Sequence, residues 1–134
     1  MAEYIRSDDE ISYQPHLHNG KADPGEVVWG WVPFEDDPSQ GKDRPVLVIG
    51  EEGGKLLTLM LTSKDHHRDA EQEARAGRYW MDVGRGDWDH EGRDSEIRLN
   101  RLIVLDPHTV RREGSVLPRA TFDAVVAAAE PYLT

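Results

Sequence analysis

The chain has 134 residues, and its 26 Asp and Glu against 16 Lys and Arg give a formal net charge of −10. With 37% apolar residues, a chain of this length is typical of one domain that buries its own core. It contains no cysteine, which excludes disulfides, thiolate zinc sites and a cysteine nucleophile. The acidic balance argues against a broad basic face that coats nucleic acid, but it is compatible with a small basic site.

The amino-terminal part of the chain shows neither the pattern of a secretion signal nor that of a folded element. Met1–Glu10 has no apolar stretch behind a basic flank, and no run approaches the roughly 20 apolar residues of a membrane span. Met1–Pro24 mixes charge, His, Pro and Gly without periodicity, which predicts a flexible acidic extension. We expect a folded domain over residues 25–134 and a cytoplasmic protein with no membrane partner.

The first predicted strand is a run of β-branched and aromatic residues, Val27–Val32, which ends at Pro33. Trp29 and Trp31 alternate within it and therefore point to the same side, which favours packing in the core. The following segment, Glu35–Asp43, collects Asp, Pro, Ser and Gly. These residue types turn a chain, so an exposed loop is predicted there.

Two further strands are predicted to form a hairpin. Arg44–Ile49 contains a short continuous apolar run, as a strand buried on both faces would. Glu51–Gly54 supplies the turn and Lys55–Leu61 the returning strand. Because the connection is short, antiparallel pairing is expected.

The second half of the chain has fewer signals until its end. Residues 65–94 are rich in acids and arginines and predict loop, apart from a strand at Tyr79–Val83. Ser95–Leu105 predicts one bent strand or two short ones, and Asp106-Pro107 predicts a single helical turn.

The terminal segment predicts an amphipathic helix that opens near Pro118 and ends at Pro131. Its apolar residues fall at helical spacing on one face: Phe122, Val125, Val126, Ala129 and Leu133. Five or six short strands and one terminal helix predict a mainly β fold, a small curled antiparallel sheet or barrel closed by a helix.

Common catalytic and cofactor motifs are absent from the sequence. The six histidines lack the spacing of a structural metal site. No glycine-rich phosphate loop follows a strand, and no Gly-x-Ser-x-Gly elbow occurs. We therefore expect neither a metal nor another cofactor.

The most specific pattern in the chain is a set of four segments in a fixed order. These segments are Gly25–Trp29, Gln40–Asp43, Arg44–Ile49 and Leu59–Ser63. They resemble the MazF/PemK (also Kid/ChpA) toxin family, with its Gly-x-Val-x-Trp strand, glycine-bearing loop, Arg-Pro-x-x-Val-[IV] strand and third strand ending in Thr-[ST]. The resemblance continues through Arg93–Leu99 into the terminal helix, so it covers nearly all of residues 25–134.

The resemblance implies an SH3-like small antiparallel β-barrel with a C-terminal α-helix, the CcdB/PemK-like plasmid maintenance toxin fold. It also implies a homodimer that acts as the toxin of a type II toxin–antitoxin system. The activity would be that of a metal-independent endoribonuclease, an mRNA interferase, which cleaves single-stranded RNA without a cofactor. A small cognate antitoxin would silence it.

The family's functional pair corresponds to Arg44, as phosphate-binding and acid residue, and Thr62, as its partner. Cleavage by the 2′-hydroxyl of the RNA builds negative charge on a pentacoordinate phosphorus, and an arginine offers a fixed fork of donors to that charge. The Thr62 hydroxyl can hold or orient the scissile phosphate. Lys42, Ser63 and Lys64 adjoin this pair and are predicted to bind substrate.

Other interpretations of the same residues are open at this stage. Arg44 could instead pair with Asp43 or Glu26, and Thr62 could satisfy backbone at a strand end. CcdB-type toxins share the fold but bind DNA gyrase without nuclease activity, and a catalytically inactive regulatory or binding module could also use it. The acidic loop at Glu35–Asp37 supports these alternatives, because RNA binding favours bases there.

Overall fold

The structure is a computed structural model that describes residues 22–63 and 70–133. Within them the chain forms seven β-strands, two α-helices and one 3₁₀ turn. The elements are β1 Glu26–Pro33, β2 Gly41–Glu52, β3 Lys55–Thr62, α1 Ala70–Arg75, β4 Trp80–Gly84, β5 Ser95–Arg98, β6 Ile103–Leu105, the 3₁₀ turn Pro107–Thr109, β7 Arg111–Val116 and α2 Arg119–Leu133.

The strands form one antiparallel sheet in the order β4-β5-β3-β2-β1-β7, and β6 also pairs with β3. The predicted mainly β fold with a C-terminal helix is confirmed. No pairing joins the end strands β4 and β7 in the part of the chain that the structure describes. The sheet is therefore curled but not closed into a barrel.

The predicted hairpin is formed by β2 and β3. Glu52 faces Lys55 across a two-residue turn, and both turn residues have positive φ, 59° at Gly53 and 80° at Gly54. A two-residue turn that follows the twist of the strands requires this left-handed backbone, which glycine adopts without steric cost.

Apolar side chains fill both faces of β2, as the continuous run in its sequence predicts. Leu47 and Ile49 join a core cluster that also contains the buried face of α2. Val46 and Val48 join a second cluster on the opposite face of the sheet. The alternation of side chains along a strand produces this division.

The segment between β4 and β5 is held by a buried aromatic ring. Trp88 is almost fully buried, and its Nε1 donates a hydrogen bond to Ser95 Oγ at 3.0 Å. The ring lies so close to Gly86 that a Cβ there would clash with it. Trp88 thereby fixes a loop that carries no regular secondary structure.

Two elements are present where the sequence predicts loop. α1 is a short run of strong helix formers, Ala70–Arg75, supported by an ion pair of 3.4 Å between Glu71 and Arg75 one turn apart. β7 lacks apolar alternation, and its pairing with β1 is supported by an ion pair between Arg112 and the buried Glu26. Because that partner is 86 residues away, the local sequence of β7 does not reveal the strand.

Three further expectations are corrected in detail. β2 begins at Gly41, inside the predicted loop. α2 continues through Pro131 to Leu133, because proline keeps a helical φ and removes only one hydrogen bond of the last turn. Trp29 and Trp31 do lie on one side of β1, but neither is fully buried there: Trp29 is half-buried and Trp31 is 59% exposed.

The predicted extension Met1–Pro24 lies outside the described residues except for its last three. Of these, Ala22 is buried in the second core cluster. The amide of Asp23 donates to Glu26 Oε1 at 3.0 Å. No helix in the described residues is long and apolar enough to cross a membrane.

Candidate active site

The hairpin brings Arg44 and Thr62 to the walls of the same cavities. The pairing of β2 with β3 ends at Val46 opposite Met60, and Arg44 and Thr62 each lie two residues beyond this pair. Val46 and Met60 share one face of the sheet, so strand alternation directs Arg44 and Thr62 to that face as well. The two residues singled out in the sequence are therefore neighbours, although 18 positions separate them.

Two cavities meet at this pair, because Arg44 and Thr62 line both. The first has a volume of about 220 Å³ and also contains Lys42 and Ser63. The second is larger, about 580 Å³, and lies toward β4, β5 and α1. Arg44 and Thr62 therefore contribute to two adjoining cavities.

Arg44 is a half-buried cation without a counter-ion among the residues that the structure describes. Its side chain makes no hydrogen bond or ion pair with any described residue. Burial lowers the pKa of Arg44, and the positive charge of Arg101 lowers it further. A guanidinium stays protonated at neutral pH despite such shifts, so Arg44 presents an uncompensated charge and free donors to the cavities.

Arg44 does not form the ion pairs with Asp43 or Glu26 that its sequence position also suggested. Asp43 pairs instead with Arg111 at 3.2 Å, and Glu26 pairs with Arg112 at 2.7 Å. Both carboxylates that the sequence offers to Arg44 are therefore paired with other arginines.

The remaining predicted site residues are distributed around the first cavity. Lys42 and Ser63 are exposed side chains at its edge, at the start of β2 and directly after β3. Thr62 is half-buried at the end of β3. Lys64 lies outside the described residues.

The acidic loop predicted to oppose RNA contributes two carboxylates, Glu35 and Asp36, to the second cavity, and Glu35 is ion-paired. Glu35 accepts two hydrogen bonds from the buried Arg98, at 2.8 and 3.0 Å. These bonds lower the pKa of Glu35, chiefly through Arg98 itself. Arg98 is also held by Asn100 Oδ1 at 2.6 Å and lies over the ring of Trp80. Glu35 is therefore a structural anion that secures its loop.

Other acids around the cavities are paired in the same way. On the wall of the second cavity, Glu73 in α1 accepts from Arg78 at 2.6 Å and from Trp80 Nε1 at 3.0 Å. On the wall of the first, Asp89 accepts from Arg93 at 2.9 Å. The site thus contains carboxylates, but each of these has an arginine partner other than Arg44.

Trp29 and His90 also line the first cavity. The indole of Trp29 lies beneath the guanidinium of Arg111 at 5.5 Å, and its Nε1 is buried without a hydrogen-bond partner among the described residues. His90 Nε2 is 3.4 Å from Glu113 Oε1. Within residues 22–63 and 70–133, no three His, Cys, Asp or Glu side chains are arranged to hold a metal ion.

Two arginines that line the second cavity, Arg98 and Arg101, were not predicted from the sequence to be near the site. Arg98 carries a detectable signal, since it is a charged residue inside an apolar strand pattern and can be buried there only with a partner. Arg101 gives no such signal, because it follows β5 in a segment without regular structure.

Comparisons with known proteins fit this architecture. The family described as PemK-like, MazF-like toxin of type II toxin–antitoxin system matches residues 23–133. The chain belongs to this toxin family. The match includes both strands that supply Arg44 and Thr62 and extends through α2, so the resemblance found in the sequence motifs is confirmed.

This MazF-like toxin also resembles a solved structure in its fold. The chain is similar to one in the crystal structure of MazE–MazF from Deinococcus radiodurans, with a TM-score of 0.57 and 17% identity. The match covers 86% of this chain and 97% of that one. At this identity the likeness shows the shared fold. The comparison with curated proteins gives no match.

Proposed function

We propose that this MazF-like toxin is a metal-independent, sequence-specific endoribonuclease that cleaves single-stranded RNA in the cytoplasm. One observation carries the proposal: Arg44 is a half-buried cation, without a carboxylate partner in the described residues, that faces Thr62 where two cavities meet. Burying a charge without a partner is costly. In a chain of net charge −10, a phosphodiester is a ligand that supplies the missing negative charge.

The proposed reaction is an attack by the RNA on itself. The 2′-oxygen forms a bond to the adjacent phosphorus as the bond to the 5′-oxygen breaks, and the proton lost from the 2′-hydroxyl is balanced by one gained at the 5′-oxygen. The products are a 2′,3′-cyclic phosphate and a 5′-hydroxyl. Negative charge accumulates on the non-bridging oxygens, where a guanidinium donates two parallel hydrogen bonds.

Each predicted site residue is assigned a role in this reaction. Arg44 stabilises the pentacoordinate phosphorus and acts as the acid toward the leaving 5′-oxygen. Thr62 orients the same phosphate through its hydroxyl. Lys42 and Ser63 contact the strand at the first cavity, and we assign Lys64, which follows Ser63 in the sequence, to the same group.

Incubating the purified, antitoxin-free protein with mixed RNA is the direct test. We expect cleavage at a short sequence context, equal rates with and without EDTA, and products that carry a 2′,3′-cyclic phosphate and a 5′-hydroxyl. Cleavage that stops in EDTA, or products with a 5′-phosphate, would contradict the mechanism. No cleavage by well-folded protein would favour a gyrase-binding toxin or an inactive module of the same fold.

We further propose that a cognate antitoxin binds this toxin. The family is defined by type II toxin–antitoxin systems, and the similar solved structure is a MazE–MazF complex. An antitoxin that covers Arg44 and Thr62 would silence the proposed activity by occupying the site that RNA needs.

Homodimer formation is a further part of the proposal. Trp31 and Val104 are 59% and 55% exposed, and both border an apolar groove beside β1 and β6. Exposed large apolar side chains grouped in this way are typical of association surfaces. In light scattering at micromolar concentration we expect a dimer of about twice 15.2 kDa, and Trp31→Glu should shift it toward monomer. A monomeric wild type would contradict this proposal.

A further inference from the structure

Arg101 is a second arginine at the site without a carboxylate partner in the described residues. Its Nη2 donates to the carbonyl oxygen of Pro33 at 2.7 Å, and its Nη1 is 3.9 Å from Met60 Sδ. Neither contact neutralises its charge. The two contacts do fix the guanidinium against β1 and β3, on the wall of the second cavity.

The other arginines of the second cavity differ from Arg101 in this respect. Arg98 is paired with Glu35 at 2.8 Å, and Arg78 with Glu73 at 2.6 Å. The charges of Arg98 and Arg78 are therefore balanced by carboxylates of the protein itself. Among the described residues that line this cavity, Arg44 and Arg101 are the arginines left for a ligand.

Arg44 and Arg101 also act on each other. Burial is the largest cause of the lowered pKa of Arg44, and the positive charge of Arg101 is the second. No carboxylate raises this pKa. Two like charges that face a shared cavity repel one another, and an anion placed there relieves the repulsion. Glu35 and Asp36 line the same cavity, and the charge of Arg101 contributes to the lowered pKa of Glu35, although Glu35 is hydrogen-bonded to Arg98.

The two arginines differ in which cavity they reach. Arg44 lines both cavities, whereas Arg101 lines the second cavity and the groove beside β1 and β6, but not the first cavity. A strand that crosses both cavities with its scissile phosphate at Arg44 can present its next phosphate to Arg101 from the second cavity.

We propose that Arg101 binds the backbone phosphate next to the scissile one, on the side of the second cavity, and thereby positions the strand. This inference rests on the proposed RNA cleavage for its choice of polyanion. Arg101 is a positioning residue in this arrangement, and Arg44 is the residue that contacts the reacting phosphate. The contact is made equally before and during reaction, so it contributes to binding and not to the chemical step.

The test separates binding from cleavage by using a strand that cannot react. Wild type and Arg101→Gln are titrated with a fluorescent single-stranded 2′-O-methyl RNA pool of random sequence at several salt concentrations. Loss of one charged hydrogen-bonding contact predicts a Kd about tenfold higher. It also predicts a slope of log K against log salt that is smaller in magnitude by about 0.7. Arg101→Lys keeps the charge and should keep the slope.

A matched control removes an equal charge elsewhere. Arg119 is an exposed arginine in α2, 3.6 Å from Asp123, and Arg119→Gln should leave both Kd and slope close to wild type. Melting curves confirm that each variant is folded. If Arg101→Gln binds like Arg119→Gln, the inference is overturned.

Cleavage assays with the same variants distinguish a positioning role of Arg101 from a role in the chemical step. With RNA that the wild type cuts, Arg101→Gln should raise KM with kcat within about threefold of wild type. A large fall in kcat at unchanged KM would overturn the positioning role and place Arg101 at the reacting phosphate. If the protein cuts no RNA but Arg101→Gln still weakens strand binding, the phosphate site stands and only the proposed activity fails.

Discussion

Replacing the ribose at the cleaved linkage by deoxyribose is expected to abolish cleavage by this toxin. The proposed nucleophile is the 2′-oxygen, and without it no bond to phosphorus can form. The measurement compares two oligonucleotides that differ only in this sugar, resolved on a denaturing gel after prolonged incubation. The effect should be the largest of all, because the substitution removes a reactant and not a source of stabilisation.

Two controls make this result specific. Deoxyribose one nucleotide further from the cut should leave cleavage largely intact, and the unreactive oligonucleotide should still compete for binding. Cleavage of the deoxy-substituted linkage would rule out the 2′-hydroxyl mechanism and would indicate a hydrolytic reaction with water as nucleophile.

Arg44→Ala is expected to lower the cleavage rate by a factor of about a hundred or more, comparable to the loss of one oxyanion-type donor. Arg44 stabilises negative charge on the phosphate oxygens that develops fully only in the transition state. Strand binding should therefore fall much less than kcat. Single-turnover kinetics measures the chemical step directly. Arg44→Lys keeps the charge without the planar fork and should recover only part of the rate.

Thr62 and Arg119 supply the comparisons for this experiment. Thr62→Val removes the hydroxyl while keeping the branched shape, so it should reduce kcat and leave the melting temperature within a few degrees. Arg119→Ala, at an exposed helix position, should leave the rate unchanged. Equal rates for wild type and Arg44→Ala would remove Arg44 from the mechanism, and the structural basis of the proposed activity with it.

Much of the central sheet could be predicted because its signals are local. The glycine pair Gly53-Gly54 encodes the turn, and the continuous apolar run Val46–Ile49 predicts a strand buried on both faces, between two core clusters. The terminal helix follows from its apolar stripe. β7 and the outward position of Trp31 escaped prediction, because both depend on which elements cover each face of β1.

The proximity of Arg44 and Thr62 also has a local origin. A hairpin between adjacent segments brings these two proposed site residues to the same cavities. Their electrostatic environment does not. The acidic loop at Glu35 looked unfavourable for RNA in the sequence, and the structure shows that carboxylate held by Arg98, 63 residues away.

The sequence by itself therefore determined the strands of the hairpin, the terminal helix, the family and the two residues proposed for catalysis. Only the tertiary structure decided which charges are free. Glu26, Glu35 and Asp43 each find an arginine far along the chain, which leaves Arg44 and Arg101 without a carboxylate partner in the part of the chain that the structure describes. Ion pairing depends on distances of a few ångströms between distant segments, and such distances exist only once the sheet has folded.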